Sequence, residues 1–177
     1  MKRLLLILLL FTAALSSIRA ETHRPAFDRE APAFNPVQFF TGHTRSLGVF
    51  ENRRGEPTQP VKTETWGRLI NGELHIEQDL YIGNQPRRHR SWRVRQLDAR
   101  HFEANASDMR GKARGTVRGN TFSWSFTLAL QPKNPLLNVR MTQHMYLQPD
   151  GQTLINRSVI RKFGFTVAQV TEQFRRD

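Results

Sequence analysis

Two carboxylates, Glu77 and Asp79, stand two residues apart in the run 73–82, so on a β-strand both project from one face. Paired acids on one face can act as general acid and base, or can anchor an ion-pair ladder. Just before them lies Asn71-Gly72, the strongest short-range hairpin signal, because both residues tolerate the positive φ of a type I′ turn. A two-residue turn there pairs Ile70 with Glu73, and so Trp66 with Glu77 and Glu64 with Asp79. The next turn, from Gly83 to Pro86, is looser. A register that sets Asp79 opposite Arg90 also sets Glu77 opposite Trp92. One face then shows Trp66, Glu77 and Trp92 in one row and Glu64, Asp79 and Arg90 in the next. Cross-strand neighbours lie about 5 Å apart, within reach of an Asp79–Arg90 ion pair. Facing into a barrel, these side chains make a polar-aromatic pocket for an amphipathic or charged ligand. Facing outward they make a solvated charged ladder, and Leu69, Leu74, Ile76 and Leu80 on the other face then fill the core. A slip of one residue in the second turn separates Arg90 from Asp79.

Other residue types with chemical potential are scattered. Phe122, Trp124 and Phe126 alternate with Ser123 and Ser125, a stripe that either fills a core or walls a cavity. Trp124 and Tyr146 complete the candidate ligand-binding set of Trp66, Glu77, Asp79, Arg90, Trp92, Trp124 and Tyr146. The six histidines show no HxH or HExxH spacing, so no metal site is expected. No GxSxG elbow, P-loop or GxGxxG stretch occurs, no cofactor is expected and no catalytic residue is assigned. The glycine-rich stretch 111–119 (GKARGTVRG) lacks the strand-then-helix setting of a phosphate cradle and reads as a strand with basic outward positions.

The elements that must position these residues are strands. Runs at 45–52, 61–70, 73–82, 88–97, 101–108, 113–118, 121–130, 138–148, 153–163 and 166–174 alternate with turn signals such as Gly119-Asn120, Pro149-Asp150-Gly151 and Gly164. The clearest is 121–130, where Phe122, Trp124, Phe126, Leu128 and Leu130 oppose Thr121, Ser123, Ser125 and Thr127. About ten sequential strands joined by short turns make an all-β antiparallel up-and-down meander. Closing it into a lipocalin-like (calycin) barrel removes the adhesive edges, and a sandwich is the second choice. A short helical turn is expected at 37–41, ending at Gly42.

Residues 1–20 begin with Lys2 and Arg3, continue through an apolar stretch from Leu4 to Leu15 and end at Ala20. That is the pattern of a secretory signal cleaved after Ala20, too short for a span of about 20 apolar residues. Residues 21–36 read as an extended, proline-dotted lead-in and 37–177 as a single β-barrel domain. The chain has no cysteine, which removes thiol catalysis, disulfides and a lipid anchor from the expectations. Its formal charge is +12, with 27 basic and 15 acidic residues. Losing Lys2, Arg3 and Arg19 with the signal leaves 24 basic against 15 acidic, an excess of +9. Such a balance favours anionic lipid headgroups or acidic ligands. Nucleic acid is not expected as a partner in an exported protein without a recognition module.

Several stretches together resemble the proteobacterial domain-of-unknown-function family 3833, envelope proteins thought to have a lipocalin-like barrel. They are FFTG at 39–42, Gly48 and Phe50, EQD at 77–79, RSW at 90–92, ANASDMRGKARG at 104–115, GN at 119–120, MYL at 145–147, INR at 155–157 and KFG at 162–164. Two departures stand out. Relatives often look like lipoproteins, whereas this chain lacks the cysteine that lipidation requires. Where the family tends to carry two aspartates and a tryptophan before MYL, this chain has Thr142, Gln143 and His144. The resemblance implies the barrel more than an activity. The leading expectation is a monomeric periplasmic protein that binds a small amphipathic or lipid-like molecule without transforming it, with an anionic membrane surface as a further partner. The alternatives are an enzyme on the same barrel with Glu77 or Asp79 as general base, and a non-binding structural or adaptor domain with a filled interior.

Overall fold

The structure, a computed structural model, describes residues 32–177. The signal expected over residues 1–20 and most of the lead-in lie outside the described residues. Helix α1 (Pro36–Phe40) is followed by ten strands, β1 (Gly42–Asn52), β2 (Pro57–Ile70), β3 (Glu73–Ile82), β4 (Arg88–Gln96) and β5 (His101–Ala106). The second half comprises β6 (Met109–Arg118), β7 (Thr121–Leu128), β8 (Val139–Leu147), β9 (Thr153–Lys162) and β10 (Phe165–Arg176). Each strand pairs antiparallel with its sequence neighbour, and β1 pairs with β10 to close the barrel. The up-and-down meander expected from the alternation is therefore the observed fold. Closure leaves no free edge for intermolecular pairing.

Period-two patterning explains which face is which. In β7 the buried Phe122, Phe126 and Leu128 point inward, as do Val139, Met141, Met145 and Leu147 of β8. The Asn71-Gly72 turn has φ values of 51° and 80°, as a type I′ turn requires, and it pairs Trp66 with Glu77 and Glu64 with Asp79. The glycine-rich stretch belongs to β6, which starts earlier than expected because a register shift between Arg110 and Arg114 absorbs Gly111 at φ 68°. Further along, a Cβ at Gly115 would overlap the Phe122 ring.

The β3–β4 register differs from the expected one. Asp79 pairs with His89, Gln78 with Arg90, Glu77 with Ser91 and Ile76 with Trp92. In the connecting loop the Gly83 N–H donates to Pro60 O of β2 and the Gln85 N–H to Ile82 O, with Gly83 at φ 51°. The register is one residue away from the Asp79–Arg90 pairing, which moves every β4 side chain to the opposite face. The energetic reason is Trp92. In this register it is buried inside with Ile76, Leu74 and Val94; in the other it would stand outside, forfeiting about 2–3 kcal/mol of burial.

One end of the barrel is plugged. Asn35 caps α1 by accepting from the Gln38 N–H at 3.1 Å, with Pro36 at the first helical position. The Phe34 N–H donates to Gly119 O at 2.9 Å. The buried rings of Phe34, Phe39 and Phe40 meet Phe122 and Phe174 edge-on, with centroids 5.8–6.1 Å apart for Phe34–Phe39, Phe34–Phe122 and Phe40–Phe174. The connections β1–β2, β3–β4, β5–β6, β7–β8 and β9–β10 all lie at the other end, where a 3-10 turn (Pro135–Leu137) sits in the β7–β8 connection.

Candidate functional site

Behind that second rim the barrel interior is hollow. A cavity of about 390 Å³ runs from Leu130 and Val167 near the mouth to Phe40 and Phe174 above the plug. Its size falls within the roughly 300–1,000 Å³ of small-molecule sites. One wall is apolar, formed by Val61, Ile76, Leu128, Met141 and the stacked indoles of Trp92 and Trp124, 4.9 Å apart at 18°.

The other wall carries a polar belt at mid-depth. Trp124 Nε1–H donates to Gln143 Oε1 at 2.6 Å and Gln143 Nε2 to Ser158 Oγ at 2.9 Å. Asn156 Nδ2 reaches Ser158 Oγ at 3.2 Å and Glu172 Oε2 at 3.3 Å. Glu172 Oε1 accepts from Ser46 Oγ at 2.7 Å and Thr63 Oγ1 at 2.8 Å. Across the cavity Trp92 Nε1 donates to Gln78 Oε1 at 3.3 Å, and Gln78 Nε2 to Thr65 Oγ1 at 3.4 Å. Glu172 is thus a buried carboxylate on the cavity wall whose hydrogen-bonding partners are a serine, a threonine and an asparagine, all neutral. Asn156 Oδ1 and Thr44 Oγ1 are buried and have no hydrogen-bond partner among the described residues. Gly48 makes this placement possible, because a Cβ there would strike the Thr171 carbonyl and the Glu172 side chain.

Of the residues expected at the site, the structure brings Arg90, Trp92 and Trp124 together in the cavity wall. Arg90 reaches it through the shifted register. Its guanidinium lies 5.4 Å from the Trp92 ring centroid and donates through Nε and Nη2 to Asp108 Oδ2 at 3.0 and 2.7 Å. Trp66, Glu77 and Asp79 are on the outer face, as is Tyr146, which lies between the inward-facing Met145 and Leu147. Trp66 stacks on His43 at 5.3 Å.

Glu77 and Asp79 do form a charged ladder outside the barrel. His89 sits between them, with Nδ1 2.7 Å from Asp79 Oδ1 and Nε2 2.8 Å from Glu77 Oε2. Arg87 holds Asp79 Oδ2 at 2.7 Å, and Ser91 Oγ–H donates to Glu77 at 2.6 Å. Hydrogen bonds to Asp79 first, then Glu77, raise the His89 pKa above its usual value. The bond from His89 holds Asp79 below the ordinary carboxylate range, and the Ser91 hydroxyl does the same for Glu77. Carboxylates held ionised in this way are weak proton acceptors, and these two face away from the cavity.

Sequence reasoning passed over Glu172, Asn156, Ser158 and Gln143. The signal was present: Ala168, Val170, Glu172 and Phe174 alternate as one inward face of β10, so a glutamate there breaks an apolar period.

A protein-family comparison matches residues 12–176, nearly the whole chain, to the family described as protein of unknown function (DUF3833). The chain belongs to this DUF3833 family. No curated protein matches it. Among solved structures, the DUF3833 barrel is similar to the S-type phycobiliprotein lyase from Guillardia theta, with a TM-score of 0.59 and 11% identity over 80% of this chain and 90% of that one. It is also similar to a protein of unknown function from the DUF3598 family of Nostoc punctiforme, with a TM-score of 0.59 and 13% identity over 88% of this chain and 53% of that one. At such identities the likeness shows the shared lipocalin-like fold.

Proposed function

We propose that this DUF3833 barrel is a periplasmic carrier that takes one small amphipathic or lipid-like molecule into its cavity and releases it unchanged. The observation that carries the reading is the divided cavity. A hydrocarbon or aromatic body fits against Trp92, Trp124 and Ile76, while the polar end meets the belt at Glu172. Because the donors that hold Glu172 among the described residues are all neutral, the ligand end that gains most there is a hydrogen-bond donor or a cation such as a protonated amine. The hollow interior argues against a filled adaptor domain. One neighbour of the same fold is a lyase by name, but here Glu77 and Asp79 lie outside the barrel, so the carrier reading is favoured over a reaction built on them. The periplasmic address rests on the signal-like residues 1–20.

Two measurements test this. Mass spectrometry of molecules extracted from the natively purified protein should find an amphipathic compound. Titration with dodecylamine should alter the indole fluorescence of Trp92 and Trp124, and Glu172→Gln should weaken that binding by about tenfold to a hundredfold, the worth of a charge-assisted hydrogen bond. A clean extract together with equal dodecylamine binding by both proteins would sink the assignment.

A further inference from the structure

The β9–β10 hairpin spends stability on an exposed aromatic. Its two-residue turn is Phe163-Gly164, with φ values of 50° and 84°. The chain solves the same problem at the opposite end with Asn71-Gly72, at nearly the same angles. Asparagine visits the left-handed region at little cost; a bulky residue there is strained. Phe163 gains no burial in return, being 77% exposed, and the following Phe165 is 76% exposed. Folding alone selects against both choices, and strain at an exposed site points to a surface the protein uses.

The surroundings name the surface. The hairpin stands at the open rim beside the β7–β8 connection, because β8 pairs with β9 as far up as Arg140 opposite Arg161. That connection exposes Leu136 and Leu130, and Val167 is exposed at the start of β10. Lys133 stands in that connection, Arg140 of β8 pairs with Arg161 of β9, and the Lys162 ammonium lies 5.6 Å from the Phe163 ring centroid. Charge is segregated on the scale of the barrel. From residue 109 to residue 171 the sequence holds nine Lys and Arg and a single acid, Asp150, which sits in the β8–β9 turn at the plugged end. Exposed aromatic tips on a basic rim are the composition that enters the headgroup layer of an anionic bilayer.

We propose that the open rim docks on an anionic lipid bilayer, with Phe163 and Phe165 inserting between headgroups and Lys133, Arg140, Arg161 and Lys162 meeting the phosphates. Docking in this orientation turns the cavity mouth toward the lipid, so a ligand passes between membrane and barrel without crossing bulk water.

The test is co-sedimentation of the protein with vesicles of pure phosphatidylcholine and of phosphatidylcholine mixed with phosphatidylglycerol. Binding is expected to the mixed vesicles only and to weaken with added salt. Phe163→Asn with Phe165→Ser should lower it by about tenfold or more while leaving dodecylamine binding unchanged, and Phe163→Asn alone should raise the melting temperature. Vesicle binding that is absent, or that survives the double substitution, overturns the proposal without touching the carrier reading. A dimer by ultracentrifugation that Phe163→Asn dissolves overturns it too, by assigning the rim to a second copy of the chain.

Discussion

At the scale of single residues, burial and hydrogen bonding divide the acids into two jobs. Glu172 lies inside on neutral donors, where a ligand can reach it. Glu77 and Asp79 lie outside and serve the wall, through the imidazole of His89. The pH dependence of that bridge has a definite sign. The folded pKa of His89 is raised above its ordinary 6.5, so its contribution is full below that value and is lost as pH rises through the raised pKa. Those of Glu77 and Asp79 are lowered from 4.5 and 3.8, so their contribution holds above those values and is lost as pH falls through the lowered ones. The bridge is therefore strongest in mildly acidic to neutral solution. Replacing His89 with Gln should lower the melting temperature near pH 6 by about a degree, since His89 and Glu77 are half-exposed and screened although Asp79 is buried, and the deficit should shrink toward pH 9 in thermal scans. A deficit independent of pH would mean that His89 acts through packing alone.

Among the elements, the shortest has the largest structural leverage. Helix α1 has five residues, too few to be stable by itself, and is held by its cap and by the rings it inserts beneath the barrel. It can sit that close because β2 has glycine at position 67, where a Cβ would overlap the Phe40 carbonyl oxygen. Gly67→Ala should destabilise the fold by about 1–3 kcal/mol, the usual cost of overpacking, read as a lower denaturation midpoint. Tryptophan emission should change with it if the plug shifts beneath the cavity. The β3–β4 loop carries the other decisive local choice, because its register decides whether Trp92 and Arg90 line the cavity or the outer wall.

For the molecule as a whole, closure, a plugged end and an open end make a container of the described residues. Anything bound inside only the folded state must stabilise it by mass action. Delipidated protein should therefore melt lower than protein purified natively, and dodecylamine at about a hundredfold excess over its Kd should restore about 2.7 kcal/mol, a shift of several degrees by calorimetry. A melting temperature indifferent to delipidation and to the amine would argue against an occupied interior. The uneven charge has its consequence at this scale as well, since a strongly basic part of the barrel next to one whose charges nearly balance orients the molecule in the field of an anionic surface.

The sequence by itself determined the strands and their antiparallel order, because period-two alternation and the Asn-Gly turn are local signals that burial of one face enforces; closure into a barrel rather than a sandwich was decided by the pairing of β1 with β10. The sequence also carried the Trp66–Glu77 and Glu64–Asp79 pairings, since a two-residue turn leaves no freedom of register. Only the tertiary structure decided which face of β4 looks inward, because the loop from Gly83 to Arg87 permits two registers and the choice is made by burying Trp92. It alone gathered Glu172, Asn156, Ser158 and Gln143 into one belt, since those residues come from three strands and their proximity depends on barrel curvature. The paired carboxylates Glu77 and Asp79 looked from spacing like the site. Their neighbours in space turned them into a brace on the wall and left the cavity to a glutamate that the sequence had hidden in an apolar stripe.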